Sequence, residues 1–106
     1  MPKYLTVASY TAEGAKGLLK EGGTTRRAVV EKLLKGLGGH LEAFYFAFGE
    51  DDVYLITDGP DNVTTAAMSL TISASGVVRT KTVVLLTPEE MDQAAKKTVK
   101  YRPPGS

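Results

Sequence analysis

The most informative pattern of hydrophobic and polar positions in this chain runs from His40 to Gly59. Two runs rich in aromatic and β-branched residues flank the turn Gly49-Glu50-Asp51-Asp52, which is typical of a β-hairpin. We predict strands over Leu41–Phe48 and Val53–Asp58. Side chains alternate across a strand, and both alternate sets of the first strand are almost wholly apolar. One set is Leu41, Ala43, Tyr45 and Ala47, and the other is Glu42, Phe44, Phe46 and Phe48. Because a sheet face in water carries polar residues, both faces of this strand need a cover.

The rest of the chain alternates between strand-like and helix-like patterns. The predicted elements are a strand over Tyr4–Tyr10, a short helical turn or loop over Thr11–Lys20, a helix capped by Thr24 or Thr25 and running to about Leu37, a helix from Asp61 or Asn62 to about Ala74, a strand over Val77–Leu86, and a short terminal helix after Thr87. Thr87 and Glu90 have the spacing of a capping box, and Pro88 occupies the first helical position.

The spacing of apolar residues predicts which side of each helix packs on the sheet. In the first helix these residues are Val30, Leu33, Leu34 and Leu37. In the second helix the main stripe is Val63, Ala66, Ala67, Leu70 and Ala74, and a second stripe is Met68 and Ile72. We therefore expect more than one side of the second helix to be covered.

The order strand, helix, strand, strand, helix, strand is the split βαβ pattern of ferredoxin-like folds. We predict an α+β domain, βαββαβ, with a four-stranded antiparallel sheet and helices on one face. Packing the other face against a second copy would cover both sides of Leu41–Phe48, which predicts a homodimer or higher homo-oligomer of the dimeric α+β barrel type. The domain spans residues 1–98, and residues 99–106 form a flexible tail whose final Gly-Ser is of the kind that recombinant cloning leaves.

Composition narrows the classes of function. The 106 residues fit one domain, and the absence of cysteine excludes disulfides and thiolate chemistry. The 13 basic and 12 acidic residues form no long block of one sign, so we expect no nucleic-acid partner. No apolar run approaches the ~20 residues of a membrane span, and we expect a soluble cytoplasmic protein with no membrane partner.

Several short motifs, in order and spacing, resemble those of the GYD-domain family over about Lys3 to Met91. They are Thr11-Ala12-Glu13-Gly14, Arg26-Arg27, Gly38-Gly39, Gly49 with Asp52, Pro60-Asp61, Arg79-Thr80 with Thr82, and Thr87 with Glu90. The resemblance implies a ferredoxin-like, oligomeric domain and no established activity. Asp51 stands where the family pattern has tyrosine, so any role of that tyrosine is missing here. Related dimeric barrel families include monooxygenases, isomerases and regulatory modules.

The histidine and the acidic residues are the first candidates for a polar site. His40, the single histidine, is a candidate acid or base, or else an exposed residue at a strand entry. The acidic turn could hold a hard cation, but aspartates also favour turns for backbone reasons, and we favour the turn role. We expect Asp52 to pair with a basic residue of a neighbouring strand or subunit.

Cationic and aromatic residues supply the remaining candidates. Arg79 and Lys81 share one side of the last strand, where they bind an anionic ligand or protect a sheet edge. Arg26 lies near a helix start that could bind an anion, although the glycine spacing is not that of a phosphate loop. Tyr10 and Tyr45 could line a pocket or belong to a core or interface.

Two functions therefore stay open. The first is a binding or assembly module whose sheet face contacts another subunit and a small ligand. The second is a cofactor-free small-molecule enzyme in which His40, Arg79 and Tyr10 form a polar cluster in a pocket between sheet and helices. We expect no cofactor and no metal.

Overall fold

The computed structural model describes residues 1–106, which form one four-stranded sheet and four helices. The elements are, in chain order, β1 (Lys3–Tyr10), α1 (Ala12–Glu21), α2 (Gly23–Gly36), β2 (His40–Phe46), β3 (Val53–Asp58), α3 (Asn62–Ala74), β4 (Val78–Leu85) and α4 (Pro88–Lys96). None of the helices is both long and apolar enough to cross a membrane.

The strands lie in the order β2-β3-β1-β4. β1 pairs antiparallel with β3 on one side and with β4 on the other, and β2 pairs antiparallel with β3. Each helical connection therefore skips one strand, which is the split βαβ arrangement of a ferredoxin-like fold. The predicted fold class and the position of the last strand at a sheet edge are confirmed.

The helices cover one face of the sheet. On β1 the residues of this face are Tyr4, Thr6 and Ala8, all buried, and they alternate with half-buried residues of the other face. Leu34 from α2 and Met68 from α3 pack over them. The hydrophobic core consists of Ala8, Leu34, Leu41, Val53, Leu55, Met68 and Val78.

A β-bulge decides which residues of β2 meet the helices. The register with β3 shifts between Leu41 and Ala43, which leaves Glu42 as the extra residue. Because cross-strand partners share a sheet face, Leu41, Phe44 and Phe46 face the helices, and Ala43 and Tyr45 face away. The predicted grouping of Leu41 with Ala43 and Tyr45 is wrong, because an alternation of period two does not continue through a bulge.

Helix α3, the second helix that the sequence predicts, packs on the sheet through the smaller of its two apolar stripes. Thr65 and Met68 are the buried residues of α3, whereas Val63 and Leu70 of the predicted main stripe are exposed. The short link from β3 sets this rotation, since Gly59 lies so close to Thr65 that an added Cβ would stand 2.7 Å from the threonine hydroxyl. The expected cover over the main stripe is absent in the protomer.

The segment after β1 is a full helix and not a turn or loop. Thr11 caps α1 by accepting a hydrogen bond from the Gly14 amide at 3.3 Å. Gly22, with φ of 85°, then turns the chain directly into α2. α2 begins at Gly23 without a side-chain cap, so the predicted cap at Thr24 or Thr25 is wrong.

The terminal helix stands apart from the rest of the fold. The predicted capping box of α4 is confirmed, with Thr87 and Glu90 bonding each other's backbone amides at 2.9 and 3.1 Å. No residue of α4 is buried. The radius of gyration is 17.0 Å, against about 13 Å for a compact chain of this length. The C-terminal segment therefore extends away from the sheet.

Gly14 is the position where the fold tolerates a side chain least. A Cβ added there would stand 2.0 Å from the Val77 carbonyl oxygen, which also accepts from the Thr11 amide at 3.1 Å. We expect Gly14→Ala to lower the free energy of unfolding by about 1–3 kcal/mol, because backbone must move to relieve the overlap. Urea denaturation followed by circular dichroism measures this loss.

Gly17 of the same helix supplies a matched control. A Cβ there meets nothing within 4 Å, so Gly17→Ala should raise stability by about 0.5–1 kcal/mol through helix propensity. Equal effects of the two substitutions would contradict the close packing of Gly14 on Val77.

Candidate functional site

The face of the sheet opposite the helices, called here the outer face, is apolar at its centre and has no cover in the protomer. Its apolar residues are Leu5, Val7, Ala43, Tyr45, Tyr54, Ile56, Val83 and Leu85. Tyr45 is 72% exposed, Val83 51% and Tyr54 41%. Monomeric proteins seldom expose contiguous apolar patches of this kind, so the outer face is a candidate binding surface.

Charged groups lie at both ends of this outer face. At one end the Lys3 ammonium contacts the Glu42 carboxylate at 2.6 Å and the Asp58 carboxylate at 2.8 Å. Hydrogen bonds to Asp58 and Glu42 hold the pKa of Lys3 well above its usual range. At the other end the Lys81 ammonium lies 3.6 Å from Asp51. The apolar centre is thus flanked by ion pairs.

The acidic turn after β2 ties the hairpin to the central strand. The Asp52 carboxylate accepts a hydrogen bond from the Tyr10 amide at 2.8 Å, and the Asp52 amide donates to the Ala8 carbonyl at 2.9 Å. The Asp51 carboxylate accepts from the Ser9 hydroxyl at 2.8 Å. The predicted ion pair between Asp52 and a basic residue does not form within the protomer. Lys81 of β4 contacts Asp51 instead, because the Asp52 carboxylate accepts from the backbone of β1.

The carboxylates of this turn are directed at protein donors. No group of three or more histidine, aspartate or glutamate side chains has the arrangement of a metal site. Gly49 and Glu50 are exposed at the tip of the turn. The geometry therefore assigns Asp51 and Asp52 a structural role.

The three residues predicted for an enzymatic cluster do not meet within one protomer. His40 is exposed at the start of β2, and Arg79 is exposed on the outer face of β4, at the opposite edge of the sheet. Tyr10 pairs with Val78 and faces the helices. Lys81 and Tyr45 also lie on the outer face, whereas Tyr10 and Arg26 line one cavity on the helix side of the sheet.

That shared location is a cavity between the sheet and helices α2 and α3. Its volume is about 60 Å³. Apolar residues form most of its wall, among them Val30, Phe44, Val53, Leu55, Met68 and Ile72. Its polar residues are Thr6, Tyr10, Arg26 and Thr80. Burial raises the pKa of the Tyr10 hydroxyl, and the nearby charge of Arg26 opposes that rise only in part.

Thr6 is the polar residue of this cavity that the sequence did not indicate. Thr6 is 5% exposed, and its hydroxyl is the single buried side-chain polar atom without a hydrogen-bond partner. The sequence does carry a faint signal, since Thr6 belongs to the same alternate set of β1 as Tyr4 and Ala8. A buried hydroxyl without a partner costs free energy, which makes this atom conspicuous.

A family model of the GYD domain matches residues 4–95 of the 106-residue chain. The chain belongs to the GYD-domain family. No curated protein and no solved structure matches it significantly. The family therefore supports the fold of this GYD domain without naming a reaction.

In this GYD domain the motifs that carry the resemblance hold backbone in place. Thr11 caps α1 and donates to the Val77 carbonyl at 3.2 Å, and Asp61 caps α3 by accepting from the Thr64 amide at 2.7 Å. Asp52 secures the hairpin to β1. Where the family pattern has tyrosine, Asp51 adds the contact with Lys81. These motifs specify the fold more directly than they specify chemistry.

Removing the Asp52 carboxylate should loosen the hairpin. Asp52→Ala leaves the Tyr10 amide without its acceptor, and we expect the free energy of unfolding to fall by about 1–3 kcal/mol. Asp52→Asn keeps an acceptor oxygen and should cost less. Glu50→Ala, at the exposed tip, should change stability by no more than about 0.5 kcal/mol. Denaturant titration measures all three, and an equal loss for Glu50→Ala would refute the specific role of Asp52.

Removing the unpartnered hydroxyl of Thr6 should stabilise the protein, whereas removing the Asp52 carboxylate should destabilise it. Thr6→Val keeps the shape and removes the buried polar atom, so the unfolding free energy of ligand-free protein should rise by about 1 kcal/mol. Thr65 is the matched control, because it is also buried but donates to the Asp61 carbonyl at 3.0 Å. Thr65→Val should lower stability by about 1 kcal/mol. The protein is refolded from denaturant, which removes molecules that copurify with it. If the free energy of unfolding falls in both variants, Thr6 has a hydrogen-bond partner in solution.

Proposed function

We propose that this GYD domain is a homodimeric binding and assembly module, in which the outer faces of two sheets pack against each other. The observation that carries the proposal is the uncovered apolar centre of the outer face. An antiparallel sheet face that stays in water is expected to be polar, whereas Leu5, Val7 and Tyr54 line this one. A second copy presents the same apolar surface, which suits the self-complementary contact of a two-fold dimer.

The size of the outer face indicates that other elements contribute to such a dimer. Four strands of about seven residues span roughly 19 by 23 Å, or about 440 Å² in projection. A standard stable interface buries about 800 Å² on each partner. Contact between the two sheets alone is therefore small, and further surface is needed.

The terminal helix is the element best placed to supply that surface. α4 has a complete capping box but buries no residue, and Met91 lies exposed with Ala94 and Ala95 on its apolar side. Isolated helices shorter than about 12–15 residues are marginal in water, so this nine-residue helix benefits from a surface to pack on. In the proposed dimer α4 packs against the partner and extends the interface.

The enzymatic alternative has less support. It requires His40, Arg79 and Tyr10 in one pocket, and only Tyr10 lies at the cavity between sheet and helices. His40 is exposed at the edge of the sheet. The dimeric module accounts for the outer face, whereas the enzymatic cluster does not.

Light scattering after size-exclusion chromatography tests the proposed dimer. At micromolar concentration we expect twice the 11.3 kDa mass of one chain. Tyr54→Glu places a charge in the middle of the interface and should weaken the dimer at least about 100-fold, because that charge would be buried without a partner. Val63→Glu is the control, since Val63 is exposed on α3, on the other side of the sheet. A wild-type monomer, or equal disruption by Val63→Glu, would overturn the proposal.

A further inference from the structure

The cavity between the sheet and the helices has the properties of a ligand site. It lies on the opposite side of the sheet from the proposed dimer interface and within a single protomer. Any ligand it takes is therefore independent of subunit assembly.

The deep end of the cavity offers one hydrogen-bonding group. Thr6 lies at the middle of the central strand, and its hydroxyl has no partner in the protein. A hydroxyl both donates and accepts, so a hydroxyl group on a ligand satisfies it well. Most of the surrounding wall is apolar, and the other polar residues of the cavity, Tyr10, Arg26 and Thr80, make no hydrogen bond to Thr6.

The mouth of the cavity offers a guanidinium group. Arg26 lines the cavity beside the Tyr10 hydroxyl, and its one ion pair is a long contact, 3.9 Å, with the Glu21 carboxylate. A guanidinium has five donors in a planar fork that matches a carboxylate, so a single distant ion pair leaves most of them free. The other nearby acid, Asp52, already accepts from the Tyr10 amide.

The space between these two ends sets the size of the ligand. A volume of about 60 Å³ holds roughly four to six water-sized groups, which is about one aromatic ring, so the acid group of a ligand with such a body lies at the mouth. Tyr10 also lines an open groove of about 620 Å³ between α1 and the end of β2. Met68 and Ile72 form an apolar wall for its middle.

We propose that this cavity and its mouth bind a small carboxylic acid that has an apolar body and a hydroxyl group at the end opposite the acid. The ligand hydroxyl bonds to Thr6, the body contacts Met68 and Ile72, and the carboxylate pairs with Arg26 next to the Tyr10 hydroxyl. The carboxylate takes the place of the weak contact between Arg26 and Glu21.

Isothermal titration calorimetry with 4-hydroxyphenylacetate tests the site on the full chain. We expect one molecule bound per protomer with a Kd of about 0.1 mM. Phenylacetate, which lacks the hydroxyl, should bind about tenfold more weakly, because it leaves Thr6 without a partner. Tyramine, which carries an ammonium in place of the carboxylate, should bind at least about tenfold more weakly, because an ammonium cannot accept hydrogen bonds from the Arg26 guanidinium.

Variants assign each end of the ligand to its residue. Thr6→Val should weaken 4-hydroxyphenylacetate about tenfold and leave phenylacetate unchanged. Arg26→Gln should weaken both acids at least about tenfold. Arg27→Gln is the matched control, because Arg27 lies on the same helix but points to Glu31 at 3.4 Å, and it should change neither Kd by more than about twofold.

Amide chemical shifts locate the bound molecule. In ¹H–¹⁵N spectra we expect the changes to centre on Thr6, Tyr10 and Arg26, and to persist in Tyr54→Glu. Absence of saturable binding by 4-hydroxyphenylacetate, equal binding of tyramine, or unchanged affinity in Thr6→Val and Arg26→Gln would each overturn the proposal. Because Tyr54→Glu addresses only assembly, failure of the dimer and failure of the ligand site are separate results.

Discussion

The structure depends on one constraint, which is that a four-stranded sheet has two faces and this chain has helices for only one of them. α2 and α3 cover the face that carries Ala8, Leu55 and Val78, and the fold places them both there because each connection crosses the same side of the sheet. The outer face keeps its apolar centre, with ion pairs only toward its ends. The proposed dimer follows from this imbalance. Helix α4, which packs on nothing in its own protomer, would extend the contact with the second subunit.

The central strand is the element through which the other features are connected. β1 pairs with both β3 and β4, receives the hairpin turn through Ser9 and Tyr10, and leads directly into the cap of α1. Two of the motifs shared with the GYD-domain family lie at these joints, one with Thr11 and Gly14 and the other with Asp52. They hold backbone groups together at short range, which explains why a chain can keep them while their presence says little about a reaction.

Strand β1 contributes residues to both the cavity and the outer face. Thr6 points toward the helices and lacks a hydrogen bond, whereas its neighbours Leu5 and Val7 point the other way and lack a cover. A small molecule on one side and a second subunit on the other would complete both. The two events use different residues, so each can occur without the other.

The sequence by itself determined the order of the four strands and of helices α2, α3 and α4, the hairpin, the capping box of the last helix and the ferredoxin-like class, because these rest on local periodicity and short-range hydrogen bonds. It also marked Tyr10 and Arg26 among the candidate site residues. Only the tertiary structure decided that the bulge at Glu42 groups Leu41 with Phe44, that α3 packs through Met68, and that Thr6 lies at a cavity without a partner. Those outcomes depend on register and helix rotation, which are set by contacts between residues far apart in the chain.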